Sequence, residues 1–386
     1  GVNGSGKHNN WSISTDAGQN LLAPGDTPYE NAQFLLFLCA VIKAVDDYQD
    51  LLRISVASAG NDHRLGANEA PPAVISMFLG DDLNAVLEAI DNDTPFEGIE
   101  KTKLQLGVSV LPKFNRDATD RNRTSPFAFT GNKFEFRMLG SASSIATANV
   151  MLNSAVAESL KIYADRLEKA DDFETALHEM IRKTIKDHKK IIFNGNGYDD
   201  AWIKEATEKR GLLNLRTTAD AVPHLLDKKN VDMLTSHGVF TETELQARYE
   251  IKLENYCKAI LIEANTMVDM AKTQIAPAIE AYAADVAKSA SAKKCLDAGL
   301  ACNYETTLVK KLSALTDSIA KQIAELEDAI MGLQKAEDVG TEAALIRDSV
   351  LVKMGELRVP CDEAETLTAK EYWPFPTYAD LLFGVK

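Results

Sequence analysis

The chain has 386 residues, 45% of them hydrophobic, which is enough apolar material for a large core and for two or three structural units. Acidic side chains number 57 and basic ones 42, so the net charge of -15 argues against nucleic acid or an anionic membrane as the main partner. The longest largely apolar stretch, residues 34–45, is too short to cross a bilayer. The five cysteines form no CxxC pair and no zinc-binding spacing, which favours reduced thiols in the cytoplasm.

The chain begins with a Gly-rich segment, residues 1–8, with the sequence GVNGSGKH. It nearly fits a P-loop, but His8 stands where that motif needs a hydroxyl group for magnesium. Small residues could instead bring the backbone close to a ligand while His8 offers an imidazole to a metal or a phosphate, although most such runs are plain turns. Because the first residue is Gly1 and the segment starts at once, we expect the chain to be part of a larger protein.

Two helices and a loop are predicted next. Apolar residues dominate positions 31–52, which predicts a long helix, and Asp81 is a plausible N-cap for a second helix that reaches Ile90. Between them, residues 58–72 are rich in Gly, Asn and Pro, which is typical of a loop. We therefore expect a mixture of helices and strands, the α+β class.

The predicted loop contains Arg64 and Glu69 close to Gly and Pro residues. Arg64 could hold a substrate carboxylate through two parallel hydrogen bonds. Glu69 could take a proton or stabilise a cation on a loop that closes over a site. The alternative is a solvated surface loop with an ordinary ion pair, and the loop by itself favours that alternative.

A strand is predicted at residues 130–138, where apolar and charged residues alternate with period two. Lys133, Glu135 and Arg137 then share one face, and the sequence NRTS at residues 122–125 precedes them. A face of this kind is usually a salt-bridged surface in contact with solvent. However, one carboxylate for a divalent metal and several cations for phosphate oxygens are also what ATP-dependent phosphoryl transfer requires.

The rest of the chain is predicted to be mostly helical. Residues 144–167 are rich in Ala and favour a helix, and an apolar seam recurs at intervals of three and four across residues 308–333, which predicts an exposed coiled-coil-like arm. Breaks are predicted at residues 194–197 and 338–340. Residues 372–378 predict an extended tail that is packed by its aromatic rings.

Three segments together resemble glutamine synthetase in content and order. They are the NGSG.H element at residues 3–8, the R....EAP loop at residues 64–71, and the NR pair with its E.R strand at residues 122–137. The runs at residues 250–272 and 373–382 resemble the type III form of this family in particular. The resemblance therefore spans nearly the whole chain.

The resemblance implies a fold and a domain organisation. Residues 1–165 would form the C-terminal portion of a glutamine synthetase catalytic domain, an antiparallel sheet with flanking helices. Residues 166–386 would form a mostly helical, type III-like region with the coiled-coil-like arm around residues 303–335. The family's small N-terminal β-grasp domain and the carboxylates of its other metal site would lie upstream of residue 1, so we expect this chain alone to be inactive.

Individual roles follow from the resemblance, position by position. The residues that would bind the substrate glutamate are Asn3, Gly4, Arg64 and Arg137. The residues that would hold the metal bridging the ATP phosphates are His8 and Glu135. The residues that would bind ATP are Asn10, Ser12, Arg123 and Lys133. The catalytic residues would be Arg123, near the transferring phosphoryl group, and Glu69, which would close the flap and accept the ammonium proton.

Two positions depart from the family pattern. Asn10 occupies a place where the bacterial type I enzymes have a second histidine, and Ala128 replaces an arginine near the ATP phosphates. The nucleotide contacts are therefore the part of the resemblance that is weakest in this sequence.

The activity implied by the resemblance is ligation of ammonia to glutamate, with ATP as co-substrate and Mg2+ or Mn2+ as cofactor, in a cytoplasmic, double-ringed dodecamer. A γ-glutamyl ligase for another amine is a second hypothesis, since the same activation of a carboxylate would serve it. A non-catalytic helical assembly protein built around the seam at residues 308–333 is a third hypothesis.

Overall fold

The computed structural model of the chain describes residues 6–67, 70–94, 103–104, 114–115 and 124–384. Four of the residues given roles above, Asn3, Gly4, Glu69 and Arg123, lie outside the described residues. The chain divides into two compact units, which we call unit 1, Gly1–Lys252, and unit 2, Leu253–Lys386. The division of the sequence at residue 165 stays a prediction.

The strands all lie in the first part of unit 1, as far as the structure describes it. They are β1 (Gly6–Trp11), β2 (Met77–Phe78), β3 (Lys103–Leu104), β4 (Phe114–Asn115), β5 (Phe127–Phe129) and β6 (Phe134–Gly140). Four of them form one sheet in the order β1-β6-β5-β2, and β3 pairs with β4. The predicted antiparallel sheet is confirmed for β1, β6 and β5, whereas β2 joins the edge in parallel.

The strand predicted at residues 130–138 is confirmed as β6. Its alternate residues Phe134 and Phe136 are fully buried, and the ring of Phe127 on β5 stacks on Phe134 with centroids 4.9 Å apart. The opposite face is also shielded from solvent, since Glu135 is 6% exposed and Arg137 is 4% exposed. An ordinary solvent face is therefore the wrong interpretation of this strand.

Helices account for most of the remaining structure. Those of unit 1 are α1 (Ala32–Asp47), α2 (Gln49–Ser55), α3 (Ala59–Asp62), α4 (Asp81–Asn92), α5 (Ala146–Leu167), α6 (Phe173–His188), α7 (Asp200–Lys204), α8 (Thr218–Ala221) and α9 (Lys228–Ser236). The helix α10 (Glu242–Met270) contains the division between the units, and unit 2 continues with α11 (Ala276–Leu296), α12 (Asn303–Gly332), α13 (Val339–Leu345), α14 (Leu351–Leu367) and α15 (Tyr378–Phe383). Among the residues that the structure describes, no helix combines the length and the apolar composition needed to span a membrane.

The helix predicted at residues 31–52 is interrupted. It forms α1 and α2, which meet at Tyr48, where the backbone leaves helical geometry with φ -121° and ψ 30°. The Asn31 side chain caps α1 by accepting a hydrogen bond from the Phe34 amide at 3.0 Å. The helix predicted to begin with Asp81 as its N-cap instead has Gly80 in that position, because the φ of 86° there favours glycine.

Unit 2 is built around the predicted seam. Helix α12 packs against α11 and α14, and its buried seam residues are Leu312, Leu315, Ile319, Ile323 and Leu326. Between α10 and α11 the chain makes one π-helical turn, Ala271–Ile275, which precedes Pro277. Proline lacks the amide hydrogen that a regular turn would need, so the helix adjusts its hydrogen bonding here.

Candidate active site

The site is built around an irregularity in the pairing of β1 with β6. Lys7 pairs with Leu139, whereas Asn9 pairs with Phe136, so the register shifts by one residue between these two pairs. His8 therefore lies opposite two residues of β6 instead of one. A bulge of this kind opens the hydrogen-bond ladder and redirects side chains, and bulges are common beside active sites.

Glu135 and Arg137 form a buried ion pair on β6, beside the bulge. Nε of Arg137 donates to Oε2 of Glu135 at 3.0 Å, and Nη2 of Arg137 lies 3.0 Å from the same oxygen. The His8 imidazole is 55% exposed, and its Nδ1 lies 3.8 Å from that oxygen. Two ligand atoms that each lie about 2.0–2.3 Å from one ion can be up to about 4.5 Å apart, so His8 and Glu135 are close enough to share a divalent cation.

Arg64 contacts the two residues of β6 that form the bulge. Its Nη1 donates to the carbonyl of Met138 at 3.1 Å, and its Nη2 donates to the carbonyl of Arg137 at 3.4 Å. Asn61 supports the same arrangement, since its amide donates to the Met138 carbonyl at 2.9 Å and its oxygen accepts from Arg64 at 3.4 Å. Burial lowers the pKa of the Arg64 guanidinium, but an arginine remains charged in proteins. A buried positive charge thus lies beside the Glu135 and Arg137 pair.

Because Gly6 has no side chain, the Arg64 guanidinium can lie directly against the backbone of β1. A Cβ atom at position 6 would lie 3.0 Å from Cζ of Arg64 and only 2.1 Å from its Nη2, and real contacts do not become as short as the second distance. The sequence suggested that small residues here bring the backbone close to a ligand. In the structure, the neighbour of this glycine is the arginine side chain.

A second buried ion pair fixes the helix that precedes Arg64. Arg53 is 1% exposed, and its Nη2 donates to Oδ1 of Asp62 at 2.7 Å. The other oxygen of Asp62 accepts from the Thr218 amide at 2.5 Å, and Nε of Arg53 donates to the Leu215 carbonyl at 2.7 Å. Burial raises the pKa of Asp62, while the charge of Arg53 opposes that rise. Sequence reasoning missed this pair, although an arginine inside the apolar run of α2 was a signal that could have found it.

The structure describes three of the four residues assigned to ATP binding, namely Asn10, Ser12 and Lys133. Asn10 is exposed, and the Ser12 hydroxyl donates to the Asn20 side chain at 2.7 Å and to the Asn132 carbonyl at 3.1 Å. Lys133 precedes β6, and its carbonyl accepts from the Thr130 amide at 2.8 Å. Their roles stay predictions.

The two departures from the family pattern turn out to be neighbours of the same carboxylate. Asn10 on β1 and Ala128 on β5 are both paired with Glu135, one on each side of β6. Ala128 is fully buried. The sequence differences therefore concentrate around the proposed metal ligand.

Among the residues of unit 1 that the structure describes, two other groups of side chains have the composition of a metal site. Their members are Asp46, Asp47 and His188 in one group, and Asp50, His224 and Asp227 in the other. Lysines already compensate them, since Nζ of Lys190 lies 3.5 Å from Asp46 and Nζ of Lys229 lies 2.8 Å from Asp50. We therefore interpret both groups as ion-pair networks.

Comparisons with known proteins agree with the resemblance found in the sequence. Residues 176–294 match the family model described as the glutamine synthetase C-terminal domain. The chain is 43% identical to a glutamine synthetase of Butyrivibrio fibrisolvens over 394 residues, which cover 100% of this chain and 55% of that protein. It is 41% identical to a type-3 glutamine synthetase of Dictyostelium discoideum, over 99% of this chain and 53% of that protein.

A third relative extends the comparison. The chain is 38% identical to a glutamine synthetase of Bacteroides fragilis (strain YCH46), over 99% of this chain and 54% of that protein. The chain thus spans about half the length of the curated relatives it matches.

Proposed function

The chain belongs to the glutamine synthetase family, and we propose that it supplies part of the active site of an enzyme that uses ATP to join ammonia to the γ-carboxylate of glutamate. The observation that carries this proposal is the arrangement of side chains at the bulge between β1 and β6. One imidazole, one buried carboxylate and two buried guanidinium groups meet there, from His8, Glu135, Arg137 and Arg64. Such a set suits substrates that carry carboxylate and phosphate groups.

The reaction needs two steps because a carboxylate is a poor acyl donor at neutral pH. In the first step, a γ-carboxylate oxygen of glutamate attacks the γ-phosphorus of ATP, which gives γ-glutamyl phosphate and ADP. In the second step, ammonia attacks the carbonyl carbon, and phosphate leaves with the electrons of the broken carbon–oxygen bond. Cationic groups that neutralise the phosphate oxygens would make the first step possible.

The metal-binding part of the proposal involves His8 and Glu135. An imidazole and a carboxylate are suitable donors for Mn2+, and the carboxylate also suits Mg2+. Their ligand atoms lie 3.8 Å apart, which fits one shared ion. When bound, such an ion would neutralise charge on the ATP phosphates.

Arg64 and Arg137 are proposed to hold the carboxylates of glutamate. Both guanidinium groups are buried and directional, which favours recognition of a planar anion. In the same proposal, Asn3 and Gly4 also bind glutamate. The residues proposed for ATP are Asn10, Ser12, Arg123 and Lys133.

Glu69 is proposed as the group that accepts the proton of ammonium. Ammonium is not nucleophilic until it loses a proton, and a carboxylate on a closing loop can both attract the cation and take that proton. We expect Glu69→Ala to slow amide formation more than it weakens ATP binding. An unchanged rate of glutamine formation in this variant would contradict the assignment.

Assembly and location belong to the same proposal. We propose a double-ringed dodecamer in the cytoplasm, in which each site needs residues that this chain alone does not supply. The five cysteines are free thiols, which is in keeping with a reducing compartment. Size-exclusion chromatography with light scattering on the full-length protein would test the assembly, and an active monomer would contradict it.

One experiment tests the function. Release of ADP and formation of glutamine are measured on the full-length protein with ATP, Mg2+ or Mn2+, glutamate and ammonia. The expected result is ADP release that requires both glutamate and ammonia. Activity with another amine in place of ammonia would favour the alternative ligase, and no ADP release with any amine would favour a non-catalytic assembly protein.

A further inference from the structure

Neighbouring side chains of β1 lie on opposite faces of the sheet. Asn9 pairs with Phe136, so it lies on the face where that phenylalanine is fully buried. His8 lies on the other face, where its Nδ1 is 3.8 Å from Oε2 of Glu135. Asn9 is only 3% exposed, and a buried amide costs free energy unless it is hydrogen-bonded. An amide on this otherwise apolar face therefore needs a partner.

Helix α5 supplies the partner of Asn9. Nδ2 of Asn9 donates to Oδ1 of Asn149, in the first turn of α5, at 2.7 Å. Two residues further along the strand, Nε1 of Trp11 donates to Oδ1 of Asn153 at 2.8 Å. Two residues of a strand span about 6.6–6.8 Å and four residues of a helix span about 6 Å, so the two contacts repeat at a matched spacing. The strand β1 is thus fixed to α5 through side chains, as well as to β6 through its backbone.

Both chain neighbours of His8 are anchored by their side chains. On one side, Nζ of Lys7 donates at 2.7 Å to the carbonyl of Ser143, in the connection between β6 and α5. On the other side is Asn9 with its contact to α5. The pairing with β6 shifts between these two neighbours, so the backbone ladder is irregular at His8. The two anchors compensate for that irregularity, and because side chains alternate along a strand, they leave His8 directed toward Glu135.

We propose that Asn149 is a positioning residue of the metal site, which acts through Asn9 to keep the His8 imidazole beside Glu135. The proposal rests on the metal-binding role proposed above for His8 and Glu135. Groups that orient metal ligands without touching the ion matter for binding, since their loss costs about 10- to 100-fold in metal affinity or activity. A single buried amide can also fix one arrangement of two packed elements. The helix that follows β6 would then help to set the affinity of the site for its metal.

The test is equilibrium binding of Mn2+ to the full-length protein, followed by the electron paramagnetic resonance signal of the free ion. Asn149→Ala removes the acceptor of the Asn9 amide and should weaken Mn2+ binding about 10-fold at the site that His8→Ala also weakens. Alanine favours a helix, so α5 should stay folded in this variant. Asn149→Asp keeps an acceptor oxygen and should bind Mn2+ at least as tightly as the unsubstituted protein.

The matched control is Asn153→Ala on the same helix. Its partner, Trp11, does not adjoin His8, so Mn2+ affinity should stay unchanged. A purely structural role of Asn149 would lower the midpoint of thermal unfolding of Asn149→Ala and leave its Mn2+ affinity unchanged, and that result would overturn the inference. Equal weakening of Mn2+ binding by Asn149→Ala and Asn153→Ala would overturn it as well.

A second variant covers the case in which Asn149→Ala does not fold. Lys7→Met removes the anchor on the other side of His8 and should also weaken Mn2+ binding. Loss of a positive charge near a cation site would by itself tighten binding, so unchanged or tighter binding would overturn the inference. Mn2+ binding that His8→Ala does not weaken would instead refute the metal-binding role of His8, so the two failures are distinguishable.

Discussion

Unit 1 and unit 2 differ in how many polar and charged side chains they bury. In the described part of unit 1, charged residues such as Arg53, Asp50 and Glu135 are almost fully buried, whereas the buried polar or charged residues described in unit 2 are Glu305 and Thr368. Burying a charge costs free energy unless it is paired and hydrogen-bonded. A region that accepts this cost repeatedly is typical of a functional site, and a region that avoids it is typical of a scaffold.

The partners also differ in their distance along the chain. The Arg53 side chain donates to the carbonyl of Leu215, which lies 162 positions away. By contrast, the ion pair of Arg358 with Asp362 in unit 2 joins two exposed residues four positions apart on one helix. Contacts of the second kind contribute little to stability. From this comparison we expect the stability of unit 1 to depend on individual buried polar residues, and the stability of unit 2 to depend on the apolar seam of α12.

The largest effect is expected for the carboxylate at the centre of unit 1. Glu135→Ala in the full-length protein should lower metal-dependent activity by more than about 100-fold, since loss of residues that merely support a metal ligand costs about 10- to 100-fold. Glu325→Ala in unit 2, where Glu325 is exposed by 31% and binds Lys353, should leave activity unchanged. The measurement is ADP release as a function of Mg2+ or Mn2+ concentration. Near-normal activity of the Glu135 variant would remove this difference between the units.

The next effect concerns buried and exposed arginines. Arg53→Ala should lower the free energy of unfolding of unit 1 by about 3–5 kcal/mol, because it leaves the Asp62 carboxylate buried without its partner. Arg358→Ala should cause little or no change, because its side chain is 61% exposed. Hydrogen exchange followed by mass spectrometry measures the stability of the two units separately. Equal effects of the two substitutions would show that burial of the pair is not what matters.

The stability of unit 2 should be most sensitive to substitutions in the buried seam of α12. Leu312→Ala removes a fully buried side chain from α12 and should lower the free energy of unfolding of unit 2 by about 2–5 kcal/mol. Ile262→Ala, at a position that is 67% exposed, is the control and should have little effect. The same exchange measurement applies. If Leu312→Ala leaves the free energy of unfolding of unit 2 unchanged, unit 2 is not organised around the seam.

A smaller effect is expected for the glycine beside Arg64. Gly6→Ala should displace the Arg64 guanidinium and raise the KM for glutamate about 10-fold, because one hydrogen bond to a charged group is weakened. Gly60→Ala is a matched control, since a Cβ atom there meets no atom within 4 Å. Kinetics with glutamate and with ATP varied separately provide the readout. If both variants behave alike, Gly6 does not control the position of Arg64.

The smallest effect is a difference in pH dependence between two lysines. Burial lowers the pKa of Lys252 in unit 1, so its unfavourable contribution to stability disappears as pH rises from that lowered value to the ordinary 10.5. Hydrogen bonds to Glu325 and Glu356 raise the pKa of Lys353 in unit 2, so its favourable contribution is lost as pH rises through the raised value. Lys252→Met and Lys353→Met should therefore change the alkaline slope of stability in opposite directions. Urea-denaturation midpoints at about pH 8 and about pH 11 measure this, and slopes that change in the same direction would contradict it.

The sequence by itself determined most regular elements and the family. The alternation at residues 130–138 predicted β6, the Ala-rich run predicted α5, and the spacing of the seam predicted α12, because each pattern depends on neighbours within a few residues. The motifs at residues 3–8, 64–71 and 122–137 identified glutamine synthetase because their residue types and order are specific. Charge alternation on β6 could not show that Glu135 and Arg137 are buried, since burial depends on what covers the strand.

Only the tertiary structure decided how the site is assembled. It placed His8 opposite a bulge in β6, set the Arg64 guanidinium against Gly6, and joined the Asn61 side chain to the Met138 carbonyl. These contacts join residues more than 50 positions apart, so they depend on the path of the chain and on the register of two strands. No periodic pattern within one segment carries that information, because a local pattern reports which face of an element is apolar and not which distant element will cover it.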